Sequence, residues 1–406
     1  MINILYISYT GLMDPLGQSQ VLQYVIALAQ EHKMILLTFE KPENLKDSER
    51  YNKLKKHCEF HGVSWHALKW NNKPRLLGTI FDIVRGAILA VRLAKAGKVD
   101  IAHCRSYIAS LMGLAVKWKV GARFIFDMRG FWPDERVDGG IWSRRSFPYL
   151  IFKVVERYLF LAADHVVSLT KSGAREFAAF EYLADRLPPV SVIPTCTNLD
   201  LFQSKGVNVS GFTLGYIGSV GSWYMFDDVA KAVSRLFAMR DDARFLIINK
   251  GGHEMIRTEL HDAGVDMSRV EIREAAFDEV PEQISRMDAG IFFIKPAWSK
   301  RASCPTRMGE FLACGKPCLA NNGVGDVQED FSDTNTGITL PTNQVGHVDM
   351  RGLDSAIEKL LLLSREPDIS QRCRAVAEDR FSLERGVAEY SRIYRTLAHK
   401  VSSVHR

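Results

Sequence analysis

Several features that define other classes of protein are missing from this 406-residue sequence. No stretch approaches 18 uncharged apolar residues, so no segment is predicted to span a bilayer. The segment Met1–Tyr6 has a strand pattern without the basic region and long apolar run of a signal peptide, so we expect no secretory leader. The seven cysteines contain no C-x-x-C pair. We therefore predict neither a disulfide framework nor a zinc site, but reduced thiols in a cytoplasmic protein.

Motifs for other ligands are missing too. The glycines at 215, 218 and 221 are spaced G-x-x-G-x-x-G rather than G-x-G-x-x-G, and Asn249 and Lys250 follow the next predicted strand where a dinucleotide site has an acidic residue. No D-x-D lies in a suitable loop after a strand, so we expect no obligatory metal. No internal repeat, low-complexity tract or nucleic-acid-binding motif is found, which argues against a basic nucleic-acid-binding protein.

The composition is that of a folded protein with unevenly distributed charge. Apolar residues make up 47% and charged residues 25%, which is enough to build the cores of two or three domains. Residues 1–200 carry 27 Lys and Arg against 19 Asp and Glu, whereas the remainder carries 26 against 28. The basic excess lies in the N-terminal half and suggests an anionic partner there.

Short β-rich apolar runs alternate with amphipathic segments along the chain. Strands are predicted at 2–8, 34–39, 99–103, 123–127, 165–169, 190–193, 212–217, 244–249, 269–272, 289–294, 317–320 and 336–340. Helical patterns include Ser19–Gln30, Asp227–Met239 and Asp354–Ser364. This alternation predicts an α/β protein with two Rossmann-like, doubly wound parallel-sheet domains facing a central cleft. The predicted domains are 1–198, a linker at 199–210, 211–382, and a C-terminal helix within 383–406 that returns to the first domain.

The segment from 303 to 317, which reads S-C-P-T-R-M-G-E-F-L-A-C-G-K-P, carries the most information. It predicts a helix with Ser303 as N-cap, Pro305 in the first turn and Gly315 after its end. Ser303, Arg307 and Glu310 then share one face. A phosphate would bind at the positive end of the helix dipole, and Glu310 would accept two sugar hydroxyls. An ordinary capped helix with an Arg–Glu pair is the alternative.

Candidate residues also follow strands of the first half. Gly17 lies in a loop where a backbone could approach a ligand closely, although a simple turn explains it equally. His103 and Arg105 end one strand, and a structural role is the alternative for the histidine. Asp127, Arg129, Asp134 and Glu135 follow another strand around two aromatic residues, Phe131 and Trp132, which could stack on a sugar.

Four cations surround the start of the predicted helix at 303. They are Lys295, Lys300, Arg301 and Arg307, and Lys250 follows an earlier strand of the same domain. A solvated basic face is the alternative, but these cations stand where a diphosphate would need neutralising.

Together these motifs resemble retaining glycosyltransferases of the GT-B fold, in sequence family 4. The resemblance covers most of the chain and includes the Gly17 loop, D-I-A-H at 100–103, V-I-P-T-C-T-N-L-D-L-F at 192–202 and G-E-F-L-A-C-G-K-P-C at 309–318. The G-V-G-D after Asn322 and the final helix also match.

The resemblance implies a role for individual residues. Glu310 matches the carboxylate that binds the donor ribose, while Ser303, Thr306 and Arg307 match the part that holds the diphosphate and sugar. Gly17 matches a loop near the donor phosphates. As catalytic residues it implies His103, Asp127 and Arg129, which match positions beside the transferred sugar and the acceptor.

The sequence departs from the family pattern in three places. Many members carry a second glutamate eight residues before the one that matches Glu310, and this position is Ala302 here. An Arg and a Lys that often follow the first strand of the second domain are replaced by Ser219 and, approximately, Tyr224. A histidine often found after the fifth strand is replaced in the segment Asp127–Arg129. We therefore assign the cationic role to Lys295 and Arg307, supported by Lys250 and Arg301, with Ser219 in the donor site.

The sequence thus predicts a retaining, metal-independent hexosyltransferase that uses a nucleoside-diphosphate sugar as co-substrate and needs no cofactor. Bacterial cell-surface polysaccharide or glycolipid assembly is the expected setting. A nucleotide-sugar epimerase of similar fold is the alternative, and a nucleic-acid-binding protein a weaker one.

The acceptor is expected to be a carbohydrate or a lipid-linked glycan. The segment 73–98 is basic and amphipathic, which suggests docking on an anionic membrane at the inner face of the plasma membrane. A packed helix with solvated basic ends is the alternative.

Overall fold

The computed structural model describes residues 1–71, 74–204, 211–221, 223–343 and 346–402. The chain forms two compact units: Met1–Ile193 together with Leu383–Arg406, and Pro194–Ser382. This division falls a few residues before the predicted boundary at 198, and residues 205–210 of the predicted linker lie outside the described residues.

The first unit is built on a seven-stranded, fully parallel sheet. Its strands are β1 (Asn3–Ser8), β2 (Lys33–Glu40), β3 (Ser64–Lys69), β4 (Ile101–Arg105), β5 (Arg123–Asp127), β6 (His165–Ser168) and β7 (Val190–Val192). Their spatial order is β3-β2-β1-β4-β5-β6-β7, which is the doubly wound order with its reversal between β1 and β4. The inner strands are almost continuously buried, as expected when helices cover both faces of a parallel sheet.

Helices connect these strands. They are α1 (Pro15–Gly17), α2 (Gln23–Leu28), α3 (Ser48–Phe60), α4 (Arg75–Ala96), α5 (Ser106–Val120), α6 (Trp132–Asp138), α7 (Phe147–Ala162) and α8 (Lys171–Ala178), with a π-helical turn at Gln18–Leu22 and 3-10 turns at Asn44–Lys46 and Glu181–Leu183. The helix predicted over Ser19–Gln30 therefore exists, but its first part is a π turn.

The second unit has a six-stranded parallel sheet of the same kind. Its strands are β8 (Phe212–Ile217), β9 (Ala243–Ile248), β10 (Val270–Arg273), β11 (Ala289–Phe292), β12 (Cys318–Asn321) and β13 (Gly337–Leu340), in the spatial order β10-β9-β8-β11-β12-β13. Each of the two faces of the sheet carries a hydrophobic core cluster, one centred on Tyr216, Val233 and Ile247 and the other on Phe311, Leu312 and Cys318.

The helices of this part of the chain complete both cores, except the last one, which belongs to the first unit. They are α9 (Phe226–Met239), α10 (His253–Asp262), α11 (Val280–Ser285), α12 (Thr306–Ala313), α13 (Val327–Thr334), α14 (Leu353–Leu363), α15 (Ile369–Val376) and α16 (Leu383–Ser402), with 3-10 turns at Met267–Arg269, Trp298–Ala302 and Met350–Gly352 and a π turn at Ala377–Phe381.

The last helix, α16, belongs to the first unit. Its apolar face carries Tyr390, Ile393, Tyr394 and Leu397, and all four are buried. Tyr24 of α2 packs edge-on against Tyr390 with ring centroids 5.6 Å apart. The 3.6-residue period of these apolar positions, which predicted the helix, thus marks the face that the unit buries.

One strand was missed. β3 reads S-W-H-A-L-K and forms the edge of the first sheet, where only Trp65 is fully buried. An edge strand with polar residues has a weak apolar pattern, so pairing with β2 rather than local sequence creates it.

The described residues contain neither a membrane-spanning helix nor a disulfide. None of their helices is both long and apolar enough to cross a membrane. All seven cysteines are free thiols, and six are buried.

Candidate functional site

A buried asparagine ties two strand ends of the second unit together. Gly218 follows β8 with a φ of 99°, and Asn249 follows β9. Asn249 Nδ2 donates a hydrogen bond to the Gly218 carbonyl at 2.7 Å. This bond fixes the glycine turn at the carboxyl edge of the sheet, where open α/β sheets bind their ligands.

Helix α12 follows β11 and begins at Thr306 without a side-chain cap. Pro305 is the N-cap residue, so the prediction that Ser303 caps this helix was wrong. Cys304 precedes a proline and is therefore disfavoured in helical conformation, which prevents the helix from starting at Ser303. Among the described residues, the amides of Thr306 and Arg307 have no acceptor. These N–H groups and the helix dipole favour an anion at this position.

Arg307 is held in place by aromatic rings rather than by a carboxylate. Its guanidinium carbon lies 4.8 Å from the Tyr216 ring centroid and 4.4 Å from that of Tyr224. Nη2 lies 3.5 Å from the Ser219 carbonyl, and a Cβ on Gly218 would come within 2.7 Å of the same nitrogen. Burial acts to lower the pKa of Arg307, but the two tyrosines and Glu310 outweigh it, so the pKa is raised.

This position of Arg307 bears on a departure from the family pattern. The sequence has Ser219 where many members have an arginine after the first strand of the second domain. The guanidinium of Arg307 lies against this very turn, although it comes from α12. The structure thus supplies a cation beside Ser219 from a different element.

Glu310 lies one turn further along α12 and is half-buried. Its carboxylate has no hydrogen bond or ion pair to any described residue. Burial raises its pKa to about 7, although the charge of Arg307 acts in the opposite direction. A carboxylate without a partner, in a partly dry position, can accept hydrogen bonds from a ligand that brings hydroxyl groups.

The other predicted donor residues differ in their surroundings. Lys300 is buried, with Nζ 3.9 Å from the Trp223 ring centroid. Ser303 and Thr306 are half-buried, and the remaining members are exposed: Ser219, Lys250, Lys295 and Arg301. The predicted group of four cations is therefore divided into two that lie on aromatic rings and two whose side chains face solvent.

Gly17 of the first unit packs closely against another backbone segment. It is buried at the end of α1, and a Cβ there would lie 1.8 Å from the Gly11 carbonyl oxygen. The loop amides of Leu12 and Met13 donate to the Glu40 carboxylate at 2.7 and 3.1 Å. The loop after β1 is therefore closed by its own carboxylate, and close packing of two backbone segments explains the glycine.

His103 and Asp127 lie side by side in the first unit and are fully buried. His103 Nδ1 is 2.6 Å from the Tyr394 hydroxyl, and its Nε2 is 3.5 Å from Asp127 Oδ2. Tyr390 donates to the same carboxylate oxygen at 3.2 Å. Because α16 supplies both tyrosines, this helix covers the two residues, although His103 Nε2 and Asp127 Oδ1 are buried without a hydrogen-bond partner among the described residues. Their catalytic role stays a prediction.

Arg129 belongs to the same group but reaches further out. Its Nη1 is 3.8 Å from Asp127 Oδ1, and its Nη2 donates to Gln20 Oε1 at 3.4 Å. Gln20 lies in the π turn, which directs its side chain to this arginine. Burial acts to raise the pKa of Asp127, but Arg129, His103 and Arg105 outweigh it and lower the pKa.

The two aromatic residues predicted to stack on a sugar have internal roles. Phe131 is fully buried. Trp132 packs against Phe152 and Trp142 at centroid distances of 4.7 and 5.3 Å. Asp134, which lies on α6 with Trp132, accepts hydrogen bonds from Tyr149 and Lys153. This part of the predicted polar site is an anchor between α6 and α7.

One group could offer oxygen and nitrogen ligands to a metal. Asp227, Asp228 and His347 bring ligand atoms within 4.8 Å of one another. Asp228 already accepts from the Val348 amide at 3.1 Å and pairs with Lys231 at 2.9 Å. These bonds indicate that Asp228 holds the segment at Val348 in place, so the group has a structural explanation.

The sequence analysis missed the aromatic residues that hold the cations. Tyr216, Trp223 and Tyr224 lie under Arg307 and Lys300, and Asn249 fixes the neighbouring glycine turn. The only available signal was their occurrence close to the glycine-rich turn after β8, since nothing local links them to residues 77 to 91 positions later.

Part of the chain matches a known family. Residues 18–194 match the model described as a glycosyl transferase 4-like domain. No curated protein matches the sequence.

Solved structures resemble the whole chain. Sucrose-phosphate synthase from Thermosynechococcus elongatus is 16% identical with a TM-score of 0.73, over 98% of this chain and 99% of that chain. A glycosyltransferase from Rickettsia africae is 17% identical with a TM-score of 0.70, over 98% of both. HepE from Anabaena, solved with UDP-glucose, is 14% identical with a TM-score of 0.68, over 99% and 100%.

These likenesses show the fold, and the predicted fold class is confirmed. The chain has two α/β domains with parallel sheets, as in GT-B proteins. The predicted resemblance to GT-B glycosyltransferases is confirmed as well. The roles of individual site residues stay predictions.

Proposed function

We propose that this chain, a GT-B-fold protein similar to glycosyltransferases, transfers a hexose-type sugar from a nucleoside-diphosphate sugar to an acceptor hydroxyl with retention of anomeric configuration. The observation that carries the proposal is the start of α12. There, two free amides and the buried Arg307 lie one turn from Glu310, a carboxylate without a partner among the described residues. HepE, which shares the fold, was solved with UDP-glucose.

The cationic groups match the charge that develops during the reaction. When the bond between sugar and diphosphate breaks, negative charge grows on the leaving diphosphate. Arg307 and the first amides of α12 would stabilise this charge, and because rings and backbone already hold the guanidinium, little reorganisation is needed. Lys300, held over Trp223, and the exposed Lys295 and Arg301 would add to the positive potential.

Glu310 would bind the ribose of the donor. Its carboxylate can accept two hydrogen bonds from neighbouring hydroxyls, which also repays the cost of burying it. Retention rests on the sequence resemblance, and independence from metal rests on the absence of a D-x-D in a suitable loop after a strand. NMR of the anomeric proton of the first-formed product tests retention, and activity that persists in EDTA tests metal independence.

Ligand-dependent thermal unfolding tests the donor site directly. Nucleoside diphosphates and their sugars should raise the Tm of the full chain, because ligand binding to the folded state stabilises it. Glu310→Ala should abolish the shift, whereas the exposed control Glu358→Ala on α14 should keep it. An unchanged shift in Glu310→Ala would reject the assigned role.

The epimerase alternative makes a different prediction. It would convert the donor to an isomerised nucleotide sugar without any acceptor, whereas a transferase requires the acceptor for turnover. Incubation with donor alone, followed by chromatography of the nucleotide sugars, separates the two.

We further propose that the first unit docks on an anionic membrane surface, at the inner face of the plasma membrane, where a lipid-linked glycan would be the acceptor. Helices α4 and α7 both pack on α5 and carry exposed apolar stripes. The exposed residues are Leu77, Ile80, Phe81, Val84 and Ile88 on α4, and Phe147, Leu150, Ile151, Val154 and Tyr158 on α7.

Aromatic and basic residues extend this surface. Trp118 of α5 is 60% exposed and lies 5.8 Å from the Tyr158 ring. Arg144 and Arg145 are exposed directly before α7, and Arg92 is exposed on α4. Apolar side chains flanked by cations favour the interface of an anionic bilayer. Lys73, at the start of the predicted basic stretch, lies outside the described residues.

Vesicle sedimentation tests the docking. The protein should sediment with anionic vesicles at low salt and much less with neutral ones. The double variant Phe147→Ser/Val154→Ser should release it. Leu362→Ser should not, because this residue, 66% exposed against 75% and 70% for the other two, lies in the second unit. Absence of binding at both low and high salt would contradict the proposal.

A further inference from the structure

Arg105 is a buried cation without a partner. It is the last residue of β4 and lies between Ser8 of β1 and Asp127 of β5 in the sheet register. Only 7% of its surface is exposed. Among the described residues, its side chain makes no hydrogen bond and no ion pair. An enclosed guanidinium normally has a carboxylate, because burying a charge without compensation is costly.

The neighbouring groups do not supply that compensation. Arg129 follows the adjacent strand and shares the one nearby carboxylate, Asp127. Burial lowers the pKa of His103, which favours its neutral form. Two arginines and one aspartate leave a net charge of +1 in an enclosed group.

Both guanidiniums remain reachable from outside. For Arg105 only Nε is sealed from solvent without a partner, and the same holds for Nε of Arg129. Both Nη atoms of Arg105 and Nη1 of Arg129 make no hydrogen bond to any described residue, so they retain some accessible surface, whereas Nη2 of Arg129 is bonded to Gln20. The backbone is also constrained here, since Ser106 and Arg129, which follow β4 and β5, have φ values of 71° and 61°.

We infer that Arg105 and Arg129 bind a phosphoryl group carried by the acceptor substrate. This inference rests on the proposed function, which places the donor diphosphate at Arg307 in the other unit. Two guanidiniums present several N–H donors in fixed planes, which suits a phosphate with three free oxygens. A phosphoryl group with a charge between −1 and −2 would also offset the net charge of the pair.

The experiment uses the full chain with Arg307→Gln as background, so that the second unit no longer binds phosphate through Arg307. Inorganic pyrophosphate is the probe, and Tm is the readout. Pyrophosphate should raise the Tm of this background protein. Adding Arg105→Met should abolish the rise, whereas adding Arg186→Met, an exposed arginine of the same unit, should leave it unchanged.

A second readout separates binding from a structural role. If Arg105 binds a ligand and has no structural role, Arg105→Met should raise the Tm measured without pyrophosphate by about 2–4 °C, because an uncompensated charge is removed. A lower Tm in Arg105→Met would make the arginine structural and overturn the inference. So would a pyrophosphate response that survives this substitution or that is absent from the background protein.

Two further measurements identify the chemical class of the ligand. A rise of equal size with acetate would overturn the assignment to a phosphoryl group. In an otherwise wild-type chain, Arg105→Met should leave the shift caused by nucleoside diphosphates intact; its loss would assign the arginine to the donor instead. If wild type shows no nucleotide shift at all, the proposed function fails, while the pyrophosphate test in the Arg307→Gln background still stands.

Discussion

Each unit carries arginines and a carboxylate at the carboxyl edge of a parallel sheet, but the partners of these charged groups differ between the units. In the first unit, Asp127 is fully buried and accepts a hydrogen bond from Tyr390 of α16. In the second unit, Glu310 is half-buried and without a partner among the described residues, and Arg307 is held by rings. The contrast teaches that a charge satisfied internally supports the fold, whereas a charge held without an ion pair is available to a ligand.

Removing Asp127 should have the largest effect. Asp127→Ala leaves two buried guanidiniums without a carboxylate, so the free energy of unfolding should fall by about 3–5 kcal/mol. Urea denaturation measures this. The control Asp354→Ala removes an exposed partner of Arg235 and should leave the free energy of unfolding unchanged within experimental error. Equal effects of the two would show that the enclosed group is not structural.

Removing Arg307 should affect catalysis more than folding. Because its guanidinium would face the leaving diphosphate, Arg307→Met should lower kcat/KM by about 10²–10³-fold, as for a lost transition-state donor. Arg257→Met, an exposed arginine on α10, should retain activity. A variant of Arg307 with full activity would remove the distinction drawn between the units.

The pKa of Glu310 predicts how donor binding depends on pH. With a pKa of about 7, the carboxylate is mostly protonated at pH 6 and mostly ionised at pH 8. Affinity for the nucleotide should therefore rise by roughly tenfold over this interval. Calorimetric titration at several pH values measures it, and Glu310→Gln should give a flat profile.

The same raised pKa has the opposite consequence for stability. The protonated form is favoured in the folded state, so the contribution of Glu310 is fully present below its ordinary pKa and is lost as pH rises through about 7. Tm should therefore decline more between pH 5 and 8 in wild type than in Glu310→Gln. Parallel curves would contradict the raised pKa.

The smallest effect is expected for a single hydroxyl of α16. Tyr390→Phe removes the hydrogen bond to Asp127 and should cost about 0.5–1.5 kcal/mol. Tyr158→Phe, whose ring is exposed on α7, should cost nothing measurable. If both variants match wild type, Tyr390 contributes packing only, and Asp127 is less firmly held than the comparison requires.

Much of the fold was predictable because local patterns and global packing agree. The apolar runs of the inner strands and the 3.6-residue period of α16 are strong local signals. β3 was missed because half of its six residues are polar and pairing with the neighbouring β2 makes them a strand.

The candidate site was predictable only in part. Glu310 and Arg307 could be placed on one helix from their spacing, since three residues are nearly one turn. Ser303 failed as N-cap because Pro305 disfavours helix at the residue before it. The role of Gly17 in a ligand loop stays a prediction, and no sequence pattern indicated that Glu40, a residue of the next strand, accepts from the loop amides.

By itself, the sequence determined the two series of strands and helices and the position of Glu310 and Arg307, because these depend on neighbours within a few residues. Tertiary structure decided which charges are enclosed. Asp127 is covered by tyrosines more than 260 positions later, Arg307 reaches a turn 88 positions earlier, and Arg105 is left without a partner. Whether a charge finds compensation depends on groups brought together only by folding.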